Sequence, residues 1–273
     1  MVRTGDSHSP NRGSIPLTAV YGVIMKIGII GLGLIGGSIF KDLKKLGFDV
    51  IAVSNSQSGE NIYKSYDVLK NCNLVFVCSA MNKTLDILDK LEEILSPKTI
   101  VTDVCSLKGF VCKKKRPYRF VPSHPMAGTE HKGFENSFEG LFKDAKWVIT
   151  PVFGESKTLV EIIKKLGAKP VITTPEKHDE AVALISHMPM VIAQAIFKTA
   201  QDNPLALEMA ASGFRDMTRL AMSNTEMAND MVQMNSENIQ TSILKLYKTI
   251  GDLTNSNYLE QIEEIKKNRQ LMF

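Results

Sequence analysis

Apolar residues come first in short β-branched runs and later in helical spacing. Residues 26–30 form one such run, of the length expected for a buried strand. A glycine loop and an amphipathic stretch to about Leu46 follow. Similar runs recur at 49–53, 74–78 and 99–103, then at 119–122, 147–150 and 170–173, with a helical stretch at about 156–166. Strands and helices alternating at this spacing predict a parallel sheet covered on both faces. After Thr174 the period changes. Thr174 suits a helix cap, and Pro175 and Glu176 suit a first turn. From there to Phe273 the spacing is helical. The predicted organisation is an α/β domain over 25–174 and an all-helical domain over 175–273.

Residues 1–24 are rich in Ser, Pro, Gly and Thr and precede Met25-Lys26. They read as a disordered tail or an upstream mis-start, because a charged n-region and a cleavage site are lacking. No run reaches the roughly 18 apolar residues of a membrane span. Hydrophobic residues make up 44% of the 273 and charged residues 23%, enough for an ordinary core. The net charge of +4 is too mild to argue for nucleic acid and suits an anionic substrate. The basic run at 113–116 reads as a solvated loop. Four cysteines with no CxxC pair point to free thiols in a reducing cytosol, with no metal site, so a cytoplasmic location is expected. Met227, Met231 and Met234 fall at i, i+4, i+7 and read as core or a dimer seam.

The segment Gly31-Leu32-Gly33-Leu34-Ile35-Gly36 fits GxGxxG between a strand and a helix. Such glycines permit a tight turn and a close approach to a pyrophosphate, and the helix N-terminus supplies unpaired N–H groups. Gly31, Gly33, Leu34, Ile35 and Gly36 are therefore candidate cofactor contacts. Where NAD enzymes place a carboxylate for the ribose, this chain has Ser54, Asn55 and Ser56. Without an acid to repel a 2′-phosphate the reading leans to NADP over NAD, a lean kept modest by the lack of an arginine to clamp that phosphate. Ser79, after the third strand, completes the expected cofactor surface.

Two further segments end strands on the side where open α/β sheets bind ligands. One is Thr102-Asp103-Val104-Cys105-Ser106-Leu107-Lys108, the other Pro122-Ser123-His124-Pro125-Met126-Ala127-Gly128-Thr129-Glu130. Ser106 and His124 are candidates for handling a substrate hydroxyl. By spacing alone a cap for Ser106 and a loop hydrogen bond for His124 remain open. Taken with GLGLIGGS, HDEAVALISHMP and GFRDMTRLAMSN in order, these segments resemble the prephenate/arogenate dehydrogenase family over about Met25 to Asn235.

The resemblance implies a Rossmann-type domain followed by a helical dimerisation domain, with the active site between them. It implies oxidative decarboxylation of arogenate or prephenate with hydride transfer to NAD(P), and a homodimer formed through the helical domain. His124 would be the catalytic histidine, Ser106 would orient the hydroxyl, Glu130 would stand near the substrate, and Arg219 would bind a carboxylate. A neutral imidazole is the natural proton acceptor near pH 7.

Pro189 is expected to disturb its helix. At about 100° per residue, His187 shares a face with Met190 and Gln194, whereas His178 falls opposite. His187 is thus a candidate substrate contact and His178 a structural first-turn residue. Asp216 is placed to pair with Arg219 at i, i+3 and to stand beside the carboxylate site. Several family members carry a histidine where this chain has Met190, a departure that tilts the reading to arogenate. The alternatives are another two-domain dehydrogenase, of the hydroxyacid or imine-reductase type, or a non-catalytic NADP-binding regulator. Hydroxyacid enzymes need a catalytic lysine on the first long helix after the sheet, where this chain has His187.

Overall fold

The computed structural model describes residues 19–20, 23–129, 131–255 and 257–272. Residues 19–20 and 23–24, expected to lie in a disordered tail, pair as a short antiparallel ribbon. Strand β1 (Lys26–Ile30) leads into helix α1 (Leu34–Lys45), then β2 (Asp49–Val53), β3 (Ile62–Tyr63), β4 (Leu74–Val77), α2 (Met81–Lys90), β5 (Ile100–Asp103) and β6 (Arg119–Phe120). These six strands form one parallel sheet in the order β3-β2-β1-β4-β5-β6. Strand order reverses between β1 and β4, the crevice where doubly wound folds bind dinucleotides.

Burial explains the run pattern. β4 is buried at every position, and β1 and β2 at all but their first residue, as strands covered on both faces must be. α1 packs Ile39, Phe40 and Leu43 on one face with Ile27, Ile29 and Phe76. Leu88 and Leu91, at the end of α2, cover the other with Val75, Val77 and Val101.

The later strands do not extend this sheet. β7 (Ser123–Pro125), β8 (Lys146–Ile149) and β9 (Lys169–Ile172) form a separate sheet in the order β9-β8-β7, with β8 and β9 parallel and β7 antiparallel to β8. Pro122 has no N–H to continue the β6 ladder. Its carbonyl instead accepts from Thr150 N at 2.9 Å, which turns the chain into the second sheet. Helix α3 (Lys157–Lys165) joins β8 to β9, and Trp147 on β8 is fully buried in the same core as α1. The basic run at 113–116 is not wholly solvated either. Arg116 is buried and pairs with Asp89 and Glu92.

The rest is helical: α4 (Pro175–Val182), α5 (Met188–Ala200), α6 (Pro204–Glu208), α7 (Ser212–Thr218), α8 (Thr225–Met234), α9 (Ser236–Asn255) and α10 (Tyr258–Met272). Thr174 caps α4 by accepting from Lys177 N. A π-turn, Ala183–His187, joins α4 to α5 without a break. Pro189 follows it, so the disturbance takes the form of a widened turn rather than a bare kink. The whole run, Pro175–Ala200, is long and apolar enough to cross a membrane by length and composition, contrary to the expectation that no stretch is. In this fold its buried side chains, among them His178, Val182, His187 and Met190, pack inside the protein. Of the methionine stripe, Met231 is buried while Met227 and Met234 are exposed.

Candidate active site

The glycine loop sits at the β1–β4 crevice. Gly31 has φ +88°, and a Cβ there would lie 2.6 Å from the carbonyl oxygen of Cys78 on the neighbouring strand end. At Gly36 a Cβ would meet the carbonyl oxygen of Gly31 at 2.0 Å. Both positions thus require glycine for chain packing. Gly33 differs: a Cβ on it would meet nothing within 4 Å. Gly33 also caps α1 without a side-chain hydrogen bond, and no acid occupies the first turn. Open space in front of uncapped N–H groups is what a pyrophosphate needs. Leu34 and Ile35 stand half-buried beside it, and Ser79 lies across the crevice, its Oγ 2.9 Å from Thr84 Oγ1.

At the end of β2, Ser54 is buried and its Oγ accepts from Gln57 N at 3.1 Å, while Asn55 and Ser56 are exposed. A cation that the motif reading missed clasps this loop. Lys64, just after β3, donates from Nζ to the carbonyls of Ser54, Asn55 and Gln57, each at 3.0 Å. It lies ten residues downstream of the usual fingerprint, so spacing gave no cue to it.

His124 occupies the middle of β7, half-buried, paired with Val148 across the sheet. Its Nδ1 is 3.0 Å from Nε2 of His178, whose own Nδ1 is 2.7 Å from Oδ1 of Asp179. Asp179 also accepts from the backbone N–H groups of Lys108 and Gly109, at 2.8 Å each. The loop after β5, strand β7 and helix α4 therefore meet at one point. His178 is not confined to a first-turn structural role, for it touches the candidate base directly. Helical rotation also failed to separate it from His187. The extra residue of the π-turn shifts the phase by about 100°, and Asn235 Nδ2 links the two regions by donating to Asp179 O at 2.9 Å and to His187 Nδ1 at 3.2 Å.

Burial holds His124 well below the usual histidine range, and the Lys108 ammonium, His178 and His187 push the same way. The imidazole is therefore neutral and able to accept a proton at neutral pH. Burial likewise takes His187 down to about 4. His187 is 1% exposed, and its Nδ1 accepts from Asn235.

A buried ion pair supports this junction. Lys108 is fully buried, pairs with Asp103 and donates to Ser123 O at 2.7 Å. Asp103 also accepts from Cys105 N and Ser123 N. The loop carrying Ser106 is thereby tied to the strand carrying His124. Ser106 is half-buried, and its hydroxyl has no partner among the described residues.

Of the remaining candidates, Glu130 lies outside the described residues. α7 ends at Thr218, and Arg219 begins a 3₁₀ turn. Among the described residues the expected Asp216–Arg219 pair does not form. Asp216 instead lies 3.8 Å from Arg215, both strongly exposed. Leu220, next to Arg219, packs into the apolar cluster of Met81, Cys105, Leu107, Met126 and Met190 between the two halves of the chain. No group of three or more His, Cys, Asp or Glu able to hold a metal occurs among the described residues.

Comparison with known proteins gives two family matches. Residues 52–172 match the prephenate dehydrogenase nucleotide-binding domain and residues 174–268 the prephenate dehydrogenase dimerization domain. A prephenate dehydrogenase from Lactococcus lactis subsp. cremoris is 29% identical over 90% of this chain and 77% of its own length. The crystal structure of Synechocystis arogenate dehydrogenase superposes with a TM-score of 0.75 at 32% identity, covering 90% of this chain and 97% of that one. Prephenate dehydrogenase from A. aeolicus, solved with hydroxyphenyl propionate and NAD+, gives a TM-score of 0.82 at 26% identity over 93% of this chain and all of that one.

Proposed function

The chain belongs to the prephenate dehydrogenase family, and on that premise we propose that it oxidatively decarboxylates arogenate or prephenate to the corresponding phenol, using His124 as the proton acceptor. The observation that carries this reading is a neutral, half-buried His124 on a strand that Lys108 ties to the loop bearing the unpartnered Ser106 hydroxyl, in a fold that also carries an uncapped glycine cradle.

The cofactor is a nicotinamide dinucleotide, which when bound would supply the acceptor for the hydride of the carbinol carbon. Gly31, Gly33, Leu34, Ile35 and Gly36 would hold its pyrophosphate, with Ser79 opposite. Ser54, Asn55 and Ser56 would face the adenosine ribose. NADP is the preferred form, supported by the lack of a carboxylate at that loop and by the charge of Lys64 behind it.

Ser106 orients the ring hydroxyl toward His124. His124 accepts the hydroxyl proton as the carbinol carbon is oxidised, and returns it to the phenolic oxygen once the ring carboxylate has left as carbon dioxide. Arg219 binds a substrate carboxylate in the bidentate manner a guanidinium allows. The chain divides at about residue 174 into cofactor and helical domains. The latter pairs two copies, in keeping with its exposed Met209, Met222, Leu244, Tyr247 and Leu259. Met190, buried where several members of the family carry histidine, favours arogenate.

Product analysis tests the reaction type. One carbon dioxide and one reduced nicotinamide should appear per phenol formed. Reduced cofactor without carbon dioxide would move the chain to the simple hydroxyacid dehydrogenases.

A further inference from the structure

We infer that His178 and Asp179 act as positioning residues that fix the tautomer of His124, leaving its Nε2 free to accept the substrate proton. The inference deepens the proposed function and rests on its reading of His124 as the base. The hydrogen bonds can be followed inward from the carboxylate. Asp179 accepts from Lys108 N and Gly109 N, so its two oxygens are fixed in place by a loop from the other half of the chain. An ionised carboxylate can only accept. His178 Nδ1, at 2.7 Å from Oδ1, must therefore carry a proton.

A neutral imidazole has one donor and one acceptor nitrogen. His178 Nε2 is then a bare lone pair, and it faces His124 Nδ1 at 3.0 Å. That nitrogen must be the donor, which strips the proton from Nε2 on the far side of the ring. Other groups close to His124 do not compete for Nδ1. The Lys108 ammonium is engaged by Asp103 and Ser123 O, and His187 accepts from Asn235. The same array stabilises the imidazolium that forms when His124 takes the proton, because His124 Nδ1–H then points at a lone pair backed by a carboxylate.

The direct test is nitrogen NMR on protein labelled at the histidine ring nitrogens, with His124 and His178 assigned from the spectra of His124→Asn and His178→Gln. Both residues should carry their proton on Nδ1 at neutral pH. A proton on Nε2 of His124 would overturn the inference. In Asp179→Asn the charge is lost and the His124 signals should shift toward a mixture of tautomers. Its kcat should fall about 10²- to 10⁴-fold, while substrate KM and dinucleotide affinity stay within about threefold. An unchanged kcat in folded Asp179→Asn would also overturn it. Should that variant fail to fold, His178→Gln supplies the comparison. Its amide oxygen can still accept from His124, so it should retain more activity than His178→Leu, and equal activities would contradict the inference. The tautomer measurement needs no substrate. The expected spectrum in an enzyme that turns over neither arogenate nor prephenate would therefore sink the proposed function and leave the inference standing.

Discussion

Lys108 and Asp103 form an ion pair in which neither side chain is exposed, and the lysine also holds the carbonyl of Ser123, the residue before His124. This pair links the loop after β5 to strand β7, and so links Ser106 to the candidate base. Removing one partner leaves the other charged and buried. Lys108→Met should destabilise the protein by about 3–5 kcal/mol. Urea unfolding of the variant checks this, and a loss below about 1 kcal/mol would mean that water reaches Asp103.

The two loop glycines should respond differently to the same methyl group. Gly36→Ala drives a Cβ against the Gly31 carbonyl, so the melting temperature falls. Gly33→Ala has room in the free protein. It should keep its melting temperature and lose dinucleotide affinity, because the added carbon enters the space assigned to the pyrophosphate. Calorimetric melting and dinucleotide titration of both variants separate the two effects, and equal affinity in Gly33→Ala would move the cofactor elsewhere.

Much of this layout was legible in the sequence, for reasons of period. Strands covered on both faces read as unbroken apolar runs, and Thr174-Pro175-Glu176 marks a helix start by its own chemistry. The split into two sheets was not legible, because Pro122 redirects the chain by a long-range bond to Thr150. His178 was missed because helical rotation was carried through a π-turn that no residue pattern announces. Lys64, Lys108 and Asp179 act through contacts across the fold, which spacing along the chain does not encode.

Stability should fall in mild acid. The folded-state values of His187, about 4, and of His124 both lie below the ordinary histidine value of 6.5. The unfolded chain therefore binds protons first as pH drops, and stability present above about pH 6.5 is lost progressively toward pH 4. For His187, which is buried, the loss amounts to about 3 kcal/mol. Unfolding free energies measured across this range check it. A flat profile would mean that both rings bind protons in the folded protein over the same pH range as in the unfolded chain.

Lys64 offers a test of cofactor choice. Lys64→Glu places a carboxylate behind the Ser54–Asn55 carbonyls it now clasps. Affinity for NADP should drop about tenfold or more while NAD is bound nearly as before, the change expected when a favourable charge near a phosphate is reversed. Equal losses for both dinucleotides would show that Lys64 only shapes the loop.

The central claim is tested most directly by following reduced-nicotinamide absorbance with arogenate or prephenate, each paired with NADP or NAD, for the native protein and for His124→Asn. The account predicts turnover by the native protein, fastest with arogenate and NADP, and a variant that still binds the dinucleotide but turns over about 10²- to 10⁴-fold more slowly. Folded native protein that binds the dinucleotide and turns over neither substrate would contradict the account, as would a His124→Asn variant of undiminished rate.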